Sequence, residues 1–223
     1  MKIGVFDSGI GGEAVAVSIR NAFPDANVIV VNDRDHVPYG DRTTEDVRNL
    51  TDTAIQPLLE QECDVIIIAC NTATALAIEW LREKYPTQYF IGLEPMVKMA
   101  RNLTHTDVIT ICATPATLAS ERYHHIKKEF ASDITVIEPD CHDWARLIED
   151  NEINEAKISE MVDYSKKHNS DVIVLACTHY HWIRNKIESL TGASVTVLDP
   201  SKSIVARIQI FLSQTYQLDR IVT

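Results

Sequence analysis

Nowhere in the chain do ~20 apolar residues run together, the length that crosses a bilayer, so no membrane span is expected. Met1-Lys2-Ile-Gly-Val-Phe6 leads straight into a strand pattern, so no signal peptide is expected either. Positive charge is short: 21 Lys and Arg against 32 Asp and Glu leave a formal net charge of −11. No basic cluster relieves it, which argues against a nucleic-acid surface. The five cysteines are an odd number and contain no CxxC. They read as reduced thiols in a cytoplasmic protein rather than a disulfide framework. Glycine is sparse as well, seven in 223 residues, yet Gly4, Gly9, Gly11 and Gly12 crowd into the first dozen. Backbone freedom is expected there. The length allows one domain or two small ones, and the 45% hydrophobic fraction is that of a globular protein.

The most informative stretch is Asp64-Val-Ile-Ile-Ile-Ala-Cys-Asn-Thr-Ala-Thr74. Its unbroken apolar run predicts a strand buried on both faces, as in a parallel sheet. Asn71 and Thr72 are N-cap residue types, and Leu76, Ala77, Trp80 and Leu81 follow at helical spacing. Cys70 therefore stands where a buried strand hands over to a helix, the place where open α/β sheets bind ligands. The helix N-terminus favours an anion, including a thiolate. The phrase returns as Asp171-Val-Ile-Val-Leu-Ala-Cys-Thr-His-Tyr180, with Cys177 aligned on Cys70. A second pair, Lys2-Ile-Gly-Val-Phe-Asp-Ser8 and Val108-Ile-Thr-Ile-Cys-Ala-Thr114, repeats at nearly the same offset. The fold class predicted is α/β, with two pseudo-symmetric parallel-sheet domains and the active site between them. Two equivalent thiols facing one substrate suit a reaction that takes a proton from one face and returns it to the other.

Along the chain, strand and helix patterns alternate. Strands are expected at Ile3–Phe6, Asn27–Val31, Tyr89–Leu93, Asp107–Cys112, Ile134–Ile137 and Ser194–Leu198 besides the two cysteine strands. Helices are expected with Val15, Val17 and Ile19 on one face, over Thr44–Gln61, from about Ala116 to Phe130, and over Ile158–Tyr164. Further helices are expected around Trp144–Ile148 and Trp182–Leu190, and from Ser203 onward. The Asp7-Ser-Gly-Ile-Gly-Gly12 turn fits neither GxGxxG nor GxxxxGK[ST], and an Asp at the strand end would repel phosphate. It reads as a loop presenting Asp7 and Ser8. Pro38 and Gly40 hold Tyr39 in a turn. Glu94-Pro95 marks the domain crossing, dividing the chain into residues 1–94 plus 205–223, carrying Asp7 and Cys70, and residues 95–204, carrying Glu149, Cys177 and His179.

Cys177, His179 and His181 alternate and would share one face of an extended segment, which raises zinc. Zinc sites need three or four converging ligands, and His124, His125 and Cys141 could complete one only by a coincidence of folding, so no metal is expected. Cys63 and Cys112 read as packing residues, Cys141 is unassigned, and Glu149 alone would be a solvated helix residue.

Together these residues resemble the cofactor-independent glutamate racemases of bacterial cell-wall synthesis. The resemblance rests on Phe6-Asp-Ser-Gly-Ile-Gly-Gly12, Val37-Pro-Tyr-Gly40, Ala69-Cys-Asn-Thr-Ala-Thr-Ala75, Gly92-Leu-Glu-Pro95 and Cys177-Thr-His-Tyr180, in order over nearly the whole chain. It implies that Cys70 and Cys177 are acid/base thiols, with Asp7 and His179 their polar partners. Cys141-His-Asp-Trp-Ala-Arg-Leu-Ile-Glu149 falls where the family carries a glutamate near the second thiol, which brings Glu149 into the site. Asp7, Ser8, Pro38, Tyr39, Gly40, Asn71, Thr72, Thr114, Thr117, Thr178 and His179 match substrate-binding positions. The resemblance further implies no cofactor, a cytoplasmic homodimer, and supply of D-glutamate for peptidoglycan. Racemisation of another amino acid such as aspartate, or a binding homologue without turnover, are the alternatives. This chain departs from the pattern at Glu13, at Arg34 and Asp35 (small or hydroxyl residues in the family), and at Ala176 and His181. The sequence ends soon after the Ser203 helix, where the resemblance leads one to expect another strand and helix.

Overall fold

A computed structural model of the protein describes residues 1–219, and the end of the 205–223 segment, residues 220–223, lies outside the described residues. Among the described residues eight strands form two parallel four-stranded sheets. The first half supplies β1 (Lys2–Asp7), β2 (Asn27–Asn32), β3 (Val65–Ile68) and β4 (Phe90–Gly92). The second supplies β5 (Val108–Ala113), β6 (Thr135–Ile137), β7 (Val172–Ala176) and β8 (Thr196–Leu198). The strand orders are β2-β1-β3-β4 and β6-β5-β7-β8, so each strand of one sheet has its counterpart four strands later. The repeated phrases of the sequence are thus the central strand pairs, β1 with β3 and β5 with β7.

The unbroken apolar runs are explained by two-sided burial. In β3, Val65 and Ile67 join one core with Ile3, Val15 and Ile19, while Ile66 and Ile68 join another with Phe6, Val47 and Leu58. In β7, Val172 and Val174 face one core, Ile173 and Leu175 the other. A strand's side chains alternate faces, so a sheet covered by helices on both sides needs apolar residues at every position.

Local expectations were corrected in three places. In the Gly12–Ala22 helix Val15 and Ile19 are buried, whereas Val17 is exposed, because two residues' advance turns a helical side chain to the opposite face. The helix expected over 116–130 is two, Pro115–Leu118 and Glu121–Phe130, since Ser120 caps the second by accepting from the Tyr123 N–H. After Cys177 the chain makes a 3-10 helix, Thr178–Ile183, before the α-helix Arg184–Thr191 begins. The last helix starts at Ser201, and its Ile204 and Ile208 pack into the core of the first sheet. Among the described residues no helix is long and apolar enough to cross a membrane.

Candidate active site

The carboxyl ends of β1, β3, β5 and β7 converge at the junction of the two halves. Because β1 and β3 are neighbours, Asp7, Ser8 and Cys70 emerge side by side. Cys70 is the N-cap of the Asn71–Lys84 helix, and its Sγ accepts from the Ala73 N–H at 3.4 Å and from the Ser8 hydroxyl at 3.2 Å. Those two bonds favour the thiolate, as the position at a helix N-terminus leads one to expect. They are outweighed. Burial pushes the Cys70 thiol up to about 12, and the charges of Asp7 and Cys177 add to the rise.

Cys177 is built differently. It caps no helix with its sulfur; instead its Sγ lies 3.6 Å from His179 Nδ1. His179 Nε2 in turn meets Glu149 Oε1 at 2.8 Å. Burial alone would lower the imidazole's pKa, but its bonds to Cys177 and Glu149 push it up to about 10. Glu149 is a side chain only 5% exposed, and its carboxyl is held below the ordinary value. Burial opposes this; His179, the Ile10 N–H at 2.6 Å and Arg34 overcome it. The bystander reading of Glu149 as a solvated helix residue does not hold.

Asp7 is wholly buried, and that burial raises its pKa. Its oxygens accept from the Gly9 N–H and the Thr178 hydroxyl, each at 2.9 Å. The glycine-rich turn is needed for closeness rather than for backbone freedom, since none of its glycines has positive φ. A β-carbon on Gly9 would stand 2.0 Å from Glu149 Oε1 and 2.6 Å from His179 Nε2; one on Gly11 would stand 2.6 Å from the Thr178 backbone.

The remaining predicted residues form a hydroxyl-lined wall beside Cys70. Thr72 Oγ1 is 2.9 Å from Thr114 Oγ1, which bonds Thr117 Oγ1 at 3.0 Å. Gly40 packs on Thr114, and Tyr39, following Pro38, is buried against Phe6 with its hydroxyl donating to Asp33 at 2.6 Å. Asn71 donates to the Leu93 carbonyl at 3.3 Å, while its buried Oδ1 has no partner among the described residues. A cleft of about 830 Å³, lined in part by Arg42, Arg48, Ala75 and Ala116, takes none of the predicted site residues into its lining.

His181 turns to Asp199 at 2.6 Å, and among the described residues no group of three or more His, Cys, Asp or Glu side chains is arranged to hold a metal. Cys141, unassigned from sequence, is buried beside Cys112 and its carbonyl accepts from the Tyr180 hydroxyl. Sequence reasoning missed Asp33 and the Ile10 N–H, and it noted Arg34 only as a departure. No local pattern marks any of the three.

Comparison with known proteins matches this architecture. The family model described as Asp/Glu/Hydantoin racemase matches residues 12–208. A glutamate racemase of Ectopseudomonas mendocina is 35% identical over 216 residues, covering 95% of this chain and 82% of that protein. The glutamate racemase isoform RacE1 of Bacillus anthracis superposes with a TM-score of 0.84 at 26% identity, over 96% of this chain and 82% of that one. The Francisella tularensis glutamate racemase solved in complex with D-glutamate gives 0.82 at 27% identity, with the same coverage. Matched by the family model over residues 12–208 and by a relative 35% identical over 95% of its length, this chain belongs to the Asp/Glu/hydantoin racemase family.

Proposed function

We propose that this protein is a glutamate racemase: it interconverts L- and D-glutamate, supplying D-glutamate for peptidoglycan, with Cys70 and Cys177 acting on opposite faces of the α-carbon. The observation that carries the reading is the pairing of two buried thiols at equivalent strand ends, Cys70 beside Ser8 and Cys177 beside His179, with Thr178 bonded to Asp7 across the junction between them. One thiolate takes the α-proton; the opposite thiol gives one. On the Cys177 side, His179 and Glu149 form a relay that holds the proton leaving sulfur. On the Cys70 side the raised pKa keeps the group a thiol, ready to donate, and the nearby buried carboxyl of Asp7 takes its proton when Cys70 must serve as base. The two sides thus differ in the group that stands ready to exchange the proton: a buried carboxyl beside Cys70, an imidazole against Cys177.

Substrate contacts follow from the groups present. The Thr72, Thr114 and Thr117 hydroxyls, with Ser8, Tyr39, Gly40 and Thr178 around them, supply donors for carboxylate oxygens. The unpartnered Asn71 Oδ1 is an acceptor suited to the substrate ammonium. The same reading takes residues 1–94 with 205–223 as one catalytic half and 95–204 as the other, supported by the packing of Ile208 onto the first sheet. A homodimer belongs to the proposal and is read by light scattering. Cytoplasmic placement fits five free, buried cysteines, which suit a reducing compartment.

Circular dichroism of the purified protein with L-glutamate, and separately L-aspartate, tests the proposal. The protein is first dialysed against chelator and a carbonyl reagent and assayed without pyridoxal phosphate. Loss of optical signal with glutamate alone is the expected result. Loss with aspartate alone, or only after metal or pyridoxal phosphate is restored, rejects it.

A further inference from the structure

We propose that Arg34 is a positioning residue for the Cys177 side of the reaction, fixing the plane of the Glu149 carboxylate from the opposite half of the molecule. The inference rests on the racemase reading and deepens it. Arg34 lies in the short 3-10 turn Arg34–His36 that follows β2, so it belongs to the first half, while Glu149 ends the Trp144–Glu149 helix of the second. Its Nη2 is 3.3 Å from Glu149 Oε2, joining a guanidinium side chain 60% exposed to a carboxylate 5% exposed.

The two carboxylate oxygens have separate duties. Oε1 receives the Ile10 N–H and faces His179 Nε2. Oε2 has Arg34 as its hydrogen-bond partner among the described residues. With both oxygens held, the carboxylate cannot rotate away from the imidazole, and the imidazole keeps Nδ1 toward Cys177. A chain of contacts thus runs from solvent to sulfur through Arg34, Glu149, His179 and Cys177, and it crosses the junction between the halves. The sulfur of Cys70 is bonded instead by Ser8 and Ala73 of its own half.

The test uses a glutamate analogue with a leaving group on the β-carbon. Abstraction of the α-proton sends the C–H electron pair into a new Cα=Cβ bond while the leaving group departs with its own pair. Elimination therefore reads one thiol at a time. Cys70→Ser identifies the enantiomer served by Cys177. For that enantiomer, Arg34→Ala should slow elimination roughly three- to tenfold, the range expected for one partner of a half-exposed ion pair that orients an acid/base group. Elimination from the other enantiomer should be unchanged. Arg34→Lys should recover part of the loss, since it restores the charge but not the planar fork. In a Glu149→Gln background, Arg34→Ala should add little further loss.

Equal losses for both enantiomers would show a general loosening of the junction and overturn the proposal. So would wild-type elimination rates in Arg34→Ala, or an undiminished Arg34→Ala effect in the Glu149→Gln background. Wild-type racemisation of glutamate is measured alongside: if it is absent, the racemase reading falls and this proposal with it. If it is present while the variants behave as wild type, only the role of Arg34 falls.

Discussion

The hydroxyl of Thr178 donates a 2.9 Å hydrogen bond to Oδ2 of Asp7, a contact between residues 171 apart in the chain. It ties the residue following one cysteine to the strand end beside the other. The junction between the halves is thus also the wiring between the two thiols' surroundings.

Replacing Thr178 with valine keeps the shape and removes the donor. A buried carboxyl losing a partner typically costs about 1–3 kcal/mol. The Thr178 bond lowers the Asp7 pKa against the larger effect of burial, so it favours the charged carboxylate. The loss of stability should therefore grow as pH rises and Asp7 ionises. Urea unfolding of Thr178→Val and wild type at mildly acid and at alkaline pH checks the sign; an equal or smaller loss at alkaline pH contradicts it.

Two alanine substitutions in the glycine-rich turn should differ in kind. At Gly9 a β-carbon meets the ends of two side chains, Glu149 and His179, which can swing aside. Gly9→Ala should keep the wild-type melting temperature within a few degrees and lose activity by ~10²-fold or more, the loss expected when an acid/base group is displaced. At Gly11 the β-carbon meets the Thr178 backbone, which cannot swing. Gly11→Ala should lose both activity and about 1–3 kcal/mol of stability, as overpacking does. Calorimetry with a racemisation assay separates the two.

Cys70→Ser and Cys177→Ser should each abolish racemisation in both directions, by ~10²–10⁴, because every turnover uses both sulfurs. Elimination from a β-substituted analogue should survive in each, but from opposite enantiomers. L- and D-glutamate have equal free energies, so kcat/KM must stay equal for the two directions in every variant. Asymmetry in His179→Asn or Asp7→Asn therefore belongs in kcat and KM taken separately. Both serine variants losing elimination from both enantiomers, or both still racemising, would sink the one-thiol-per-face mechanism.

His179 dictates the pH response. Its pKa, pushed up to about 10 by Cys177 and Glu149, should give kcat/KM an alkaline limb near pH 10. Glu149→Gln removes one of the groups that raise it and should move that limb to lower pH. The same shift is a stability term. A histidine with a raised folded pKa stabilises fully below its unfolded value of about 6.5 and loses that contribution as pH rises through about 10. Urea midpoints between pH 6 and 11 should fall more steeply for wild type than for His179→Asn; parallel curves would contradict the assignment.

The sequence by itself determined the two-sheet α/β plan, the repeat, and the position of both cysteines at strand ends. Those features come from burial of contiguous segments, and burial leaves a local mark: Val65–Ile68 and Val172–Ala176 are apolar at every position because both sheet faces are covered. What followed from contacts between distant segments left no such mark. The Arg34–Glu149 pair joins residues 115 apart, and neither has a local pattern to announce it. The crowded glycines read as flexible until Glu149, His179 and Thr178 were seen pressing on them. Cys70 and Cys177 look equivalent in the sequence, yet one caps an α-helix under a neighbouring carboxyl and the other leans on an imidazole. A thiol's protonation depends on charge and burial within a few ångströms, and only the tertiary structure decides which groups stand there.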